Sequence, residues 1–306
     1  MTLPEPETVR IPGPEGHLEG TLLYPSGATD IVIILPGSGP TDRDGNSPQG
    51  LASNTYKLIA QGLAAQGIAA LRVDKRGLFG SAKAISDPNA VTIGDYAQDL
   101  SQWAAFAATR ASRVWVAGHS EGGLVALYAA ASGTGVFTGL FLMATPSRPL
   151  GQVLLSQLEA QGLAPKEMDA ARALIAGFEA GQDPTSLRAI PNSLRPLFPP
   201  SLNGYWRDLV SHDPTALIKN WHGPALIIQG DADIQMGMDD AERLHGAAPN
   251  AERLDLDGGT HLLKVGDPKD PLATYRNPDL PLHPALLPGM RIRRIRNSTC
   301  TTRIWH

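Results

Sequence analysis

The sequence predicts an α/β protein: a mostly parallel central sheet with helices on both faces, interrupted by one mainly helical insertion. Three observations carry this reading. Short apolar runs alternate with segments of helical periodicity along most of the 306 residues. The runs are apolar at consecutive positions rather than at every second one, the pattern of strands covered on both faces. Across 146–224 the alternation stops, for a stretch too long to be a bare loop.

Residues 18–24 read as the first strand. Pro25-Ser26-Gly27 then forms a hairpin-like turn into 31–35, which predicts an antiparallel N-terminal edge. The run Ile31-Val-Ile-Ile-Leu35 ends abruptly at Pro36-Gly37-Ser38-Gly39-Pro40. A helix follows over 53–66, with Tyr56, Ile59 and Leu63 on one face and Gly67 as its stop. Next come a strand at 68–73 and a helix at 95–108, where Tyr96, Leu100, Trp103 and Ala107 keep helical spacing. A strand at 114–117, a helix at 121–131 and a strand at 140–144 complete the first part. The interval that follows holds helical segments at 151–162 and 166–181 and a proline-rich stretch at 184–200. The alternation resumes with a strand at 225–229, a helix at 239–247 and a strand at 252–256. The resulting division is a core of 1–145 and 223–290, a helical lid of 146–222, and a basic tail of 291–306.

Composition narrows the function classes. The chain is 42% hydrophobic and 18% charged, with 32 glycines and 26 prolines, which excludes a disordered or coiled-coil chain. Net charge is −4, but Arg291, Arg293, Arg294, Arg296 and Arg303 fall in the last 16 residues, leaving 21 minus 30, or −9, for the rest. Such a body repels phosphate backbones and anionic lipid, so no nucleic-acid or membrane partner is expected. The tail is compatible with a basic arm, but we read it as a non-native or disordered end and give it no function. The single cysteine, Cys300, forbids an internal disulfide and a thiolate zinc site. Residues 1–16 contain no apolar signal core, and no apolar run approaches the roughly 18 residues of a membrane helix. A cytoplasmic protein is expected.

Gly118-His119-Ser120-Glu121-Gly122 matches G-x-S-x-G, a weak signal alone. Its position between a strand and a small-residue helix is the context of a nucleophile elbow. The turn is so tight that flanking side chains would clash, hence Gly118 and Gly122, and it lifts Ser120 to the positive end of the helix. Serine is a poor nucleophile at its own pKa and needs a base, which needs an orienting carboxylate. After the strand at 225–229 stand Asp231 and Asp233, either of which can be that acid while the other caps or holds the turn. Of the histidines that follow, His245 falls on a helix and His283 between Leu282 and Pro284. His261 lies in a Gly258-Gly259-Thr260 loop just beyond the last strand, where catalytic groups of open α/β sheets collect.

Taken with Pro36-Gly37-Ser38-Gly39-Pro40-Thr41-Asp42-Arg43-Asp44, Asp74-Lys75-Arg76-Gly77 and Gly80-Ser81, these motifs span 31–263. They resemble the α/β-hydrolase superfamily, specifically bacterial acyl-ester hydrolases of the serine aminopeptidase-like (S33) branch. The resemblance implies that Asp233 is the triad acid. It also implies an oxyanion hole built from the amides of Ser38 and Glu121, Glu121 acting through its backbone alone. Many relatives open the first loop with His-Gly where this chain has Pro36-Gly37, so the support beneath the hole is expected to differ. Asp42, Arg43 and Asp44 are expected to form a loop-stabilising ion network.

The parts then give an acyl-enzyme mechanism on a small-molecule ester, with no metal or organic cofactor called for. An amidase or peptidase would use the same triad, and a non-catalytic binding protein of the same fold is the remaining alternative. The lid stripes Val153, Leu154, Leu158 and Leu174, Ile175, Phe178 are expected to close a short acyl pocket over Ser120.

Overall fold

The computed structural model describes residues 3–133, 136–184 and 190–292. Its main strands in chain order are β1 (Glu7–Pro12), β2 (His17–Leu23), β3 (Asp30–Leu35), β4 (Ala69–Val73), β5 (Arg113–His119), β6 (Gly139–Met143), β7 (Ala225–Gly230) and β8 (Glu252–Leu256). They form one sheet in the order β1-β2-β4-β3-β5-β6-β7-β8. All neighbours from β4 to β8 run parallel, while β1 and β2 are antiparallel additions at one edge.

The antiparallel edge is where it was expected, but its pairing is not. β2 pairs with β1 and β4, and β4 stands between β2 and β3. Pro25 and Ala28 do close a turn, with Ala28 N–H donating to Pro25 C=O at 3.1 Å. It cannot make a β2–β3 hairpin, because both edges of β3 are taken by the parallel strands β4 and β5.

Alternate residues of the central strands feed two separate cores, which is why these strands read as continuously apolar. Ile31, Ile33, Leu140, Leu142 and Ile227 face one layer; Val32, Ile34, Phe141, Met143 and Ile228 face the other. The first layer is closed by α2 (Ile93–Ala108), α3 (Glu121–Ala131) and α8 (Met238–Ala247), through Leu100, Trp103, Leu124 and Leu244. The second is closed by α1 (Thr55–Ala65), through Tyr56, Ile59 and Leu63, and by α9 (Leu286–Gly289), with Met290 and Ile292 beyond it. Ile292 is thus part of the core although the sequence boundary put it in the tail; 293–306 lie outside the described residues. The start of α2 is fixed by a capping box, Asp95 N–H donating to Thr92 Oγ1 at 3.0 Å and Thr92 N–H to Asp95 Oδ2 at 2.9 Å.

Between β6 and β7 the chain forms α4 (Leu150–Ala160), α5 (Pro165–Glu179), α6 (Asn203–Val210) and α7 (Pro214–Ile218). Here the expected use of the apolar stripes is corrected. Leu158, Ile175 and Phe178 pack with Ile190, Leu194, Phe198 and Val210 into a small core of their own, while Val153 joins the main one. The proline-rich stretch supplies the partners, so the stripes are covered there and do not roof the pocket at Ser120. The segment is tied down by polar contacts: Asp208 Oδ2 accepts Ile93 N–H at 2.6 Å, and the buried Asp240 carboxylate accepts Ser147 N–H at 3.0 Å. Among the described residues no helix is long and apolar enough to cross a membrane.

Candidate active site

Four loops at the carboxyl ends of parallel strands bring the candidate residues together, the location expected for the site of an open α/β sheet. Ser38 follows β3, Ser120 follows β5, Asp233 follows β7 and His261 follows β8. Ser38, Ser120 and His261 line one cavity of about 120 Å³, with Thr41, Ser53, Tyr56, Gln235, Leu262 and Tyr275. No residue of 146–224 is among those lining residues.

Ser120 sits at φ 53°, ψ −121°, a left-handed backbone that a serine adopts only at a cost of about 1–3 kcal/mol. The strain is held by the strand and helix that meet there: Ser120 N–H donates to Met143 C=O at 2.9 Å, and its carbonyl accepts Gly123 N–H at 2.9 Å. The two expected glycines are sterically required. A Cβ on Gly118 would stand 2.3 Å from Gly122 O, and one on Gly122 would stand 2.6 Å from the carbonyl oxygens of Leu35 and Pro36.

His261 is 4% exposed, and its Nδ1 lies 2.8 Å from Asp233 Oδ2. A carboxylate only accepts, so Nδ1 carries a proton, and in the neutral ring Nε2 is the nitrogen that can accept. The Asp233 side chain is fully buried. Its Oδ1 accepts Gln235 N–H at 2.7 Å and Met236 N–H at 3.0 Å, and Oδ2 also accepts Gln229 Nε2–H at 3.1 Å. Burial opposes its ionisation, but the His261 charge and these bonds outweigh burial and hold the carboxyl below its usual range. Asp231 is exposed, and its carboxylate instead accepts Gly258 N–H at 2.6 Å, holding the turn that leads to His261. The other histidines are engaged elsewhere: His245 lies on α8, and His283 bonds Asp257 C=O through Nε2 at 3.0 Å.

Ser38 lines the cavity beside Ser120, and Glu121 follows Ser120 in the chain. Glu121 opens α3, whose first N–H groups have no partner within the helix. The loop bearing Ser38 lies against the elbow, since a Cβ on Gly37 would come 3.3 Å from Ser120 Cβ. Its support answers the departure at Pro36-Gly37. Gly37 N–H donates to Tyr56 Oη at 3.0 Å, Tyr56 O–H donates to His119 Nδ1 at 2.8 Å, and His119 Nε2–H donates to His261 C=O at 2.8 Å. Burial and the nearby His261 charge press His119 down to about 3, so it stays neutral, as this bonding needs. From the other side Lys75 donates to Gly37 C=O at 2.7 Å.

Tyr56, His119 and Lys75 were visible in the sequence only as a helix-face residue, the variable position of G-x-S-x-G and part of Asp-Lys-Arg-Gly. The Glu121 side chain is more than a backbone carrier: it is fully buried, 3.4 Å from Lys75 Nζ, and bonded by Tyr205 O–H. The Asp42 to Asp44 segment forms the expected network. Arg43 bonds Asp74 at 2.9 Å through Nε and also Glu19; Arg72 pairs with Asp44; Asp42 accepts Asp44 and Asn46 N–H, each at 2.8 Å. Among the described residues no group of three or more His, Cys, Asp or Glu side chains is placed to hold a metal ion.

Comparison with known proteins agrees with this architecture. Solved structures of the same fold include the alpha/beta hydrolase GrgF from Penicillium sp. sh18, at TM-score 0.58 and 20% identity over 84% of this chain and 91% of that one. An esterase from Pyrococcus furiosus superposes at TM-score 0.56 with 18% identity, covering 84% of each chain. A proline iminopeptidase from Mycobacterium smegmatis does so at TM-score 0.58 with 15% identity, over 96% of this chain and 99% of that one. At these identities the likeness is one of fold. No curated protein matches. The sequence model of the alpha/beta hydrolase family matches residues 32–283, far more than half of the length, and the chain belongs to that family.

Proposed function

We propose that this protein is a serine carboxylic-ester hydrolase acting on small, soluble, short-acyl esters through Ser120, His261 and Asp233. The observation that carries the reading is the shared cavity: a serine held at positive φ opens into the same space as a histidine whose far nitrogen is 2.8 Å from a buried carboxylate.

The reaction follows from these parts. Ser120 Oγ attacks the ester carbonyl carbon while His261 Nε2 takes its proton, and Asp233 stabilises the imidazolium through Nδ1–H. The oxyanion is met by the amides of Ser38 and Glu121, each such donor being worth about 2.7–4 kcal/mol of barrier. Collapse breaks the ester C–O bond, and the alcohol leaves with the proton from His261. Water then attacks the acyl-enzyme, losing its proton to His261, and the acid departs as Ser120 recovers its hydrogen. The cavity beside Ser120, about 120 Å³ and lined by polar Thr41, Ser53, Gln235 and Tyr275 with Leu262, favours small acyl groups over long apolar chains.

The test is a rate panel of p-nitrophenyl esters and matching anilides, with Ser120→Ala as the blank. Turnover of short esters that vanishes in the variant supports the reading. Faster anilide than ester turnover makes the protein an amidase, and no Ser120-dependent turnover makes it a binding protein.

A further inference from the structure

In Asp74-Lys75-Arg76-Gly77 one charged residue reaches out of the scaffold to the loop after β3. Asp74 is held by Arg43, and Arg76 by Asp95 and Asp99. Lys75 points instead at the loop after β3, donating to Gly37 C=O at 2.7 Å with Glu121 Oε1 3.4 Å away. The other oxygen of Glu121 accepts the hydroxyl of Tyr205 on α6. One chain of polar side chains therefore runs from the helical segment through Glu121 to the peptide that carries Ser38.

The burial of this pair needs a reason. The Lys75 side chain is 9% exposed and that of Glu121 is 0% exposed, and desolvating two charges cancels much of what their attraction returns. The reason lies in where the ammonium ends. The described peptide bonds are all trans, so the Ser38 N–H points opposite to the Gly37 carbonyl that Lys75 binds. A cation on that oxygen fixes the peptide plane and polarises the N–H at its other end into a stronger donor. The partner of the cation, Glu121, carries the other amide of the proposed hole. We propose that Lys75 is a positioning residue for the oxyanion hole, and that Tyr205, acting through Glu121, couples the helical segment to it. This rests on the serine-hydrolase reading above.

Lys75→Met, Lys75→Arg and Tyr205→Phe are assayed on p-nitrophenyl acetate, and against a trifluoromethyl ketone that adds to the serine as a tetrahedral oxyanion. Lys75→Met should lower kcat about 10- to 100-fold with KM within about twofold, and weaken the ketone by a similar factor. Lys75→Arg should restore most of both, and Tyr205→Phe should lower kcat about three- to tenfold at unchanged KM. A Lys75→Met enzyme with wild-type kcat and ketone affinity overturns the proposal, as does Lys75→Arg no better than Lys75→Met. If Lys75→Met does not fold, Tyr205→Phe decides, and a wild-type kcat there overturns the coupling. Wild-type turnover that persists in Ser120→Ala defeats the underlying reading instead. Turnover lost in Ser120→Ala but untouched in Lys75→Met defeats this inference alone.

Discussion

Replacing Tyr56 by Phe removes one oxygen and leaves the ring that packs beneath the sheet. That oxygen accepts Gly37 N–H at 3.0 Å and donates to His119 Nδ1 at 2.8 Å, in a region where Tyr56 and His119 are each 3% exposed. Two buried polar groups thus lose their partners together. At about 1–3 kcal/mol for each unsatisfied group the cost spans about 2–6 kcal/mol, and relief of the hydroxyl's own desolvation points to the lower half, about 2–4 kcal/mol. That is a large share of a typical stability of about 5–15 kcal/mol. The same change frees the Gly37–Ser38 peptide on one side and loosens the His119 bond to the His261 carbonyl. A forfeit of about 1.4 kcal/mol in oxyanion stabilisation is already tenfold in rate, so kcat should fall at least about tenfold, with KM changed less. Urea unfolding midpoints and steady-state ester hydrolysis on the same preparation measure both. A stability loss below about 0.5 kcal/mol with unchanged kcat would refute the claim that this chain of bonds supports the site.

Asp233→Asn should lower kcat by about 10⁴, whereas Asp231→Asn, touching only Gly258 N–H, should cost far less; the reverse order in a kcat comparison would transfer the acid's role. Esters of about two to six acyl carbons should turn over fastest, with no jump at the solubility limit, and a marked rise on emulsified long-chain triglyceride would contradict the short-acyl reading. Lys264 is fully buried, donating to Ser53 C=O at 2.6 Å, and burial pushes its ammonium down to about 8 from an ordinary 10.5. Between those values the unfolded chain holds a proton that the folded chain has released, so this group makes the fold more stable as pH rises through that window. Wild-type minus Lys264→Met unfolding free energy, measured at pH 7.5 and 10, should therefore increase with pH, and a decrease would contradict it.

The buried parallel strands were legible because a strand covered on both faces has no polar positions to disguise it: β3 and β6 read directly from their apolar runs. The edge was not. In β1 only Val9 and Ile11 face inward, among Glu7, Thr8, Arg10 and Pro12, so the run lacks the apolar density that marks the central strands. The order β2-β4-β3 was hidden because a tight turn at Pro25 is compatible with a hairpin, and only the capture of both β3 edges by other strands rules one out. At the site, Ser120 and His261 stood out because their positions at strand ends constrain backbone and chemistry together. Asp233 and Asp231 share one turn, and it is the burial of one carboxylate and the exposure of the other that separates them. The supporting residues were illegible for a different reason. The bonds from Gly37 to Tyr56, from His119 to His261 and from Glu121 to Tyr205 join residues 19, 142 and 84 positions apart, and no local pattern announces a contact at such separations.

The central claim is that Ser120 is an activated nucleophile. Incubating the protein with a fluorophosphonate and mapping the adduct by peptide mass spectrometry tests it directly, because phosphonylation needs the same deprotonated oxygen as ester attack. The account predicts stoichiometric modification at Ser120, loss of ester turnover in step with labelling, and no labelling of Ser120→Ala or of wild-type protein unfolded in urea. Undiminished labelling of Ser120→Ala, or an adduct on another residue, would contradict it.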